Sequence, residues 1–131
     1  MQFDYQVGTV LTKEDIFAIR DQINKVKISE SLERYIIELV YATRKPLDYK
    51  LTEQAQYIQF GASPRASINL NLASKAMAYL DGRDYVLPED IKEVALDVMN
   101  HRIILNYEAE ADNIRTKDVI KAILSKVPIS K

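Results

Sequence analysis

Apolar residues recur at three- and four-residue spacing along most of this chain, the period of amphipathic helices. Thr12 to Asp15 reads as a helix start, a Thr cap with an acid three residues later. Ile16, Ile19 and Ile23, joined by Phe17 and Val26, form one stripe, and the spacing predicts a helix over 13–25. Ser29 caps a second helix whose face is Leu32, Tyr35, Ile36, Leu39, Val40 and Thr43. Lys45-Pro46 ends it, because the residue before a proline avoids the helical region. From 46 to 62 there is no helical stripe, only a long connection with Tyr57 to Phe60 as a short strand. Beyond Pro64, Ile68, Leu70, Leu72, Ala73, Ala76, Met77 and Leu80 cover much of a helix circumference. That predicts the central, most buried helix, closed by Asp81-Gly82. Pro88-Glu89-Asp90 opens the next helix, with Ile91, Val94, Ala95, Val98 and Met99 as its stripe and an end near Asn100 to Arg102. Ile103 to Leu105 reads as a strand pairing with 57–60, and Tyr107 to Asn113 as an acidic exposed loop. Thr116 caps a last helix, with Val119, Ile120, Ile123, Leu124 and Val127 inward and Pro128 as its stop. The whole predicts an all-α bundle of about five helices with one small two-stranded hairpin.

One stretch joins pattern to chemistry. Gly61-Ala62-Ser63-Pro64-Arg65-Ala66 passes from loop to helix within a few residues. Gly61 can take a backbone conformation closed to other residues. Ser63 is a good N-cap, and Pro64 suits the first helical position. Arg65 then stands in the first turn, where the helix dipole disfavours a cation. Two readings follow. Free amides, dipole and guanidinium together would hold a phosphate or carboxylate; or Arg65 bends away and pairs with a nearby acid.

Composition narrows the rest. The chain has 131 residues, enough for one domain with a real core. With 18 Lys and Arg against 19 Asp and Glu, the net charge is −1, so no basic field draws in nucleic acid. There is no cysteine, which rules out a disulfide framework or thiolate site and fits a cytoplasmic location. No apolar run is long enough to span a bilayer. A single histidine, His101, excludes a His-rich metal site and reads, beside Arg102 at a helix end, as a dipole partner. Arg44 and Lys45 likewise suit the last turn of their helix. Glu89-Asp90 reads as a helix start, Glu108 and Glu110 as a solvated loop, and Tyr35 and Tyr79 as core positions on helical stripes. Nothing matches a phosphate-binding loop ending in Gly-Lys-Ser/Thr.

Several separated motifs resemble one family. YIIELVYATR at 35–44, GASPRA at 61–66, ASKAMAYLDGRDYVLPEDI at 73–91 and Asn100-His101-Arg102 occur in the order and spacing of the MoxR family of AAA+ ATPases. The resemblance covers that family's C-terminal helical lid, about residues 11–127. It implies that 11–131 is a lid and 1–10, with its weak Phe3, Tyr5, Val7 alternation, a linker from an ATPase core. The phosphate loop, metal-binding acids and arginine finger belong to that core, so the lid alone is not an enzyme. The SPR-type arginine of such lids is the sensor-2 residue, and Arg65 matches it, with Ser63 and Pro64 fixing its place. ATP and Mg²⁺ are implied for the parent. So are a ring oligomer, a hexamer, partners with a von Willebrand factor A domain, and chaperone-like remodelling. The resemblance gives no role to Arg44, Arg83, His101 or Arg102. A stand-alone interaction module and a nucleic-acid-binding helical domain are the alternatives.

Overall fold

The computed structural model describes residues 6–129. Its order is α1 (Lys13–Asn24), α2 (Glu30–Arg44), a 3₁₀ turn (Pro46–Tyr49), α3 (Thr52–Ala55), β1 (Ile58–Phe60), α4 (Arg65–Leu80), α5 (Pro88–Met99), β2 (Ile104–Leu105), α6 (Tyr107–Ala111) and α7 (Thr116–Lys126). The five long helices fall where their apolar stripes predict, and β1 pairs antiparallel with β2, Ile58 opposite Leu105 and Phe60 opposite Ile104. Phe3 and Tyr5 lie outside the described residues; 6–12 holds no helix or strand.

Helix α2 is the buried heart of the fold. Its stripe buries Leu32, Tyr35, Ile36, Leu39, Val40, Ala42 and Thr43. Helix α4, expected in that role, buries only Ala66, Leu70, Ser74 and Ala78. Ala73, Met77 and Tyr79 are half-buried against the core, while Ile68 at 61% exposure, Leu72 and Leu80 at 80% face out. Apart from Leu70, the fully buried residues of α4 are small, and Ile68, Leu72 and Leu80 are turned from the core. Helix α1 buries no residue at all: Ile16 and Phe17 are exposed, while Ile19 and Ile23 are half-buried. An amphipathic stripe records that a face is apolar, not that this domain covers it.

Short elements fill the segments expected to be irregular. The connection 46–62 contains the 3₁₀ turn, α3 and β1, with Leu51 and Tyr57 buried. The acidic stretch after Asn106 is helix α6, not a loop. The Asn106 carboxamide oxygen accepts the Ala109 N–H at 3.1 Å, a side-chain cap, while its amide donates to the Gln56 carbonyl at 2.6 Å. The Tyr57 hydroxyl donates to Asp112 at 2.7 Å, and this bond pushes the phenol up to about 12. Helix α7 starts at Thr116, so Arg115 and not Thr116 is its cap residue; the Arg115 N–H is taken by the Asp118 carboxylate.

Two long-range ties set the orientation of α4. At its C-terminal end Gly82 has φ +78°, the left-handed conformation that closes a helix, and the Arg83 N–H reaches back to the Ala78 carbonyl. The chain then runs beside the link between α1 and α2: the Lys27 N–H donates to the Asp84 carbonyl at 2.8 Å and the Val86 N–H to the Lys27 carbonyl at 2.9 Å. Tyr79 of α4 also donates through its hydroxyl to Gln22 of α1. The other tie is at the N-terminal end and bears on function.

Candidate functional site

Arg65 is the first helical residue of α4 and its side chain is exposed. The ion pairs of the described residues join Asp21 to Lys25, and Arg83 to Asp81 and Asp90; none involves Arg65. The reading in which Arg65 pairs with a nearby acid is therefore not realised among the described residues. It is an exposed cation at the positive end of a helix, an arrangement that favours an anion from outside.

The helix start itself differs from the sequence expectation. Ser63 is not the N-cap. Pro64 holds that place, already in helical conformation (φ −57°, ψ −21°), and no side chain caps the turn. Instead the Ala66 N–H donates to the Ser63 carbonyl at 2.9 Å and the Ser67 N–H to the Pro64 carbonyl at 3.1 Å. Such three-residue bonds tighten the first turn and satisfy amides that the sequence alone leaves free. The anion-binding capacity thus rests on the guanidinium and the dipole, with less from the amides.

Gly61 is required for a reason other than the expected one. Gly82 is the glycine with positive φ among the described residues, and Gly61 has none. A Cβ at Gly61 would lie 2.6 Å from the Thr43 carbonyl carbon and 2.9 Å from the Arg44 nitrogen, and closer still to the Thr43 carbonyl oxygen. Only a residue without a side chain lets the loop come this close to the last turn of α2. The next residue is bonded there. The Ala62 N–H donates to the Thr43 hydroxyl at 2.9 Å, and Arg44 reaches the Ala62 carbonyl at 3.4 Å. Ala62 is fully buried, as is Ala66 on the other side of Arg65.

Arg83 and Asp90, to which sequence reasoning gave no joint role, form the second polar centre. The two terminal guanidinium nitrogens of Arg83 donate to the two oxygens of Asp90 at 2.7 Å, a bidentate pair. Arg83 also binds Asp81 at 3.0 Å and the Tyr85 carbonyl at 3.1 Å, and its guanidinium lies 5.9 Å from the Tyr85 ring centre. Asp90 is 3% exposed and accepts the Leu87 N–H at 2.7 Å, closing the first turn of α5. The Arg83 hydrogen bonds hold the Asp90 carboxyl below the usual carboxylate range; burial opposes this and the Leu87 N–H supports it. This pair is saturated by its own partners and is a structural clamp. The signal in the sequence was an acid at the third position of a helix, seven residues beyond an arginine.

The other basic candidates have local duties or none. The Arg102 Nε donates to the Val98 carbonyl near the end of α5 at 3.1 Å. His101 is exposed and borders a shallow cleft with Asp97, Arg115 and Lys117. Among the described residues no group of His, Asp and Glu is arranged to hold a metal ion, and no helix is long and apolar enough to cross a membrane.

A helical bundle with one small two-stranded antiparallel sheet defines the fold class. The chain belongs to the AAA lid domain family, whose model matches residues 50–123. Among its relatives, Chaperone MoxR1 of Mycobacterium tuberculosis is 36% identical over 124 residues, covering 95% of this chain and 33% of that protein. Protein MoxR of Paracoccus denitrificans is 36% identical over 107 residues, 77% of this chain and 31% of that protein. A crystal structure of a protein from Cytophaga hutchinsonii, assigned as an ATPase, superposes with a TM-score of 0.94 at 62% identity, covering all of this chain and 40% of that one. The lid is of the MoxR type, as its motifs indicated. The chain spans about a third of the length of the curated relatives it matches.

Proposed function

We propose that this chain works as the lid of a MoxR-type AAA+ ATPase and that Arg65 is its sensor-2 residue, a donor to the phosphates of ATP held with Mg²⁺ by a core domain. Residues 1–10 serve as the linker from that core and 11–131 as the lid, in the cytoplasm. The observation that carries this reading is the exposed guanidinium at the start of α4, without an ion pair among the described residues, three residues after the buried and bonded Ala62. An arginine kept for stability would be packed against an acid, as Arg83 is. Contact with the nucleotide in one state more than another would bias the lid–core angle. In a hexameric ring that bias becomes chaperone-like remodelling of a client, with von Willebrand factor A domain proteins as partners. The nucleic-acid alternative has no support from a net charge of −1.

Arg65→Ala in the full-length ATPase is expected to lower ATP turnover or nucleotide affinity by at least about tenfold, the scale for removing a donor from a developing phosphate charge. In the isolated chain the same change should leave the melting temperature unchanged or slightly raised, because the dipole opposes a cation there. A clearly lowered melting temperature with unchanged turnover would overturn the assignment.

A further inference from the structure

We infer that Thr43 is a positioning residue for Arg65: its hydroxyl sets where the guanidinium stands before an anion arrives. The inference rests on the anion-binding reading of Arg65 given above. No side chain caps the start of α4, and the backbone bonds of its first turn are local, so they do not tie the helix start to the rest of the fold. The fixing is tertiary. Thr43 is 1% exposed in the last turn of α2 and its hydroxyl donates to the Val40 carbonyl at 2.6 Å. With its proton committed inside α2, the oxygen is left to accept, and the Ala62 N–H is what it accepts. Gly61 permits the approach, and the Arg44 contact to the Ala62 carbonyl, long at 3.4 Å, braces the far side of the same peptide unit.

Helix α2 itself does not need a hydroxyl at this position. Thr43 continues the stripe of Leu32, Ile36, Leu39 and Val40, where valine would fill the same space without a polar atom to desolvate. The oxygen has one use beyond its own helix, and that use is the loop three residues before Arg65. Ala62, three residues before Arg65, and Ala66, directly after it, are fully buried, so a shift of the loop at Ala62 moves the start of α4 and the guanidinium with it.

The test is a double-mutant cycle in the full-length ATPase, with ATP as the probe. Thr43→Val should lower kcat/KM for ATP by about tenfold, within the range for misplacing a reacting contact by part of an ångström. Thr43→Ser, which keeps the oxygen, should restore most of it. In an Arg65→Ala background Thr43→Val should cost nothing further in turnover, while its effect on melting temperature stays the same in both backgrounds. If Thr43→Val does not fold, Thr43→Cys, with a weaker acceptor, takes its place in the cycle. Equal losses of turnover with and without Arg65 would show that Thr43 acts on the fold alone and overturn the inference. So would unchanged turnover in Thr43→Val when Arg65→Ala is impaired. Unchanged turnover in Arg65→Ala is a different failure: it removes the anion-binding reading first, and this inference with it.

Discussion

Asp90→Ala is expected to destabilise the chain by about 3 kcal/mol, the low end for breaking a buried ion pair. The low end applies because Arg83 keeps Asp81 as a partner after the change and has 17% of its side chain open to water. Two losses combine: the bidentate bond to Arg83 and the acceptor for the Leu87 N–H at the start of α5. Urea unfolding followed by circular dichroism would measure it, and a loss under about 1 kcal/mol would mean the pair is solvated in practice. The pH dependence has a definite sign. The folded-state pKa of Asp90 lies below its unfolded value, so its contribution is complete above the unfolded pKa of about 3.9. It is lost as pH falls through the lower folded value. Acid should therefore erode stability below about pH 4, and the curve for Asp90→Asn should be flatter there.

Gly61→Ala should have an effect of similar size by a different route. The new methyl would meet the backbone of Thr43 and Arg44, which cannot rotate away as a side chain tip would. Either the last turn of α2 or the loop must move, at a cost of about 3 kcal/mol, the upper part of the range for overpacking a buried site. Gly82→Ala is the informative comparison. Its Cβ would meet nothing within 4 Å, and only the positive φ resists it, for about 1 kcal/mol. A thermal melt of the two variants side by side decides the point. If Gly82→Ala proves the more damaging, the close approach at Gly61 is not the constraint described here.

Much of the framework was legible in the chain. Helices α2, α5 and α7 announce themselves through stripes that end up buried, and the two-stranded sheet through two short apolar runs on either side of α4 and α5. The exposed place of Arg65 in the first turn of α4 was legible from local context, a cation directly behind a proline. What escaped was non-local. The Thr43 hydroxyl finds its partner at Ala62 and the Gly61 constraint comes from the end of α2, and neither leaves a periodic trace in sequence. Helix α6 was hidden because its acidic residues read as solvated loop, while its cap residue is held by a bond to Gln56, just before β1. The exposed stripe on α1 shows the same limit from the opposite side. Periodicity found the helix, but burial is decided by what packs against it.

Helix α4 is fastened at both ends by polar contacts from other elements, Thr43 near its start and Asp90 just past its end. Its 16 residues make a rod about 24 Å long. A rod held at only one end can fray or swing, and so dissipate a load placed on its free tip. Held at both, it passes the load on to what its far end touches. A pull on Arg65 would therefore be delivered, with little lost on the way, to the far pivot at Arg83, and through Asp90 to α5.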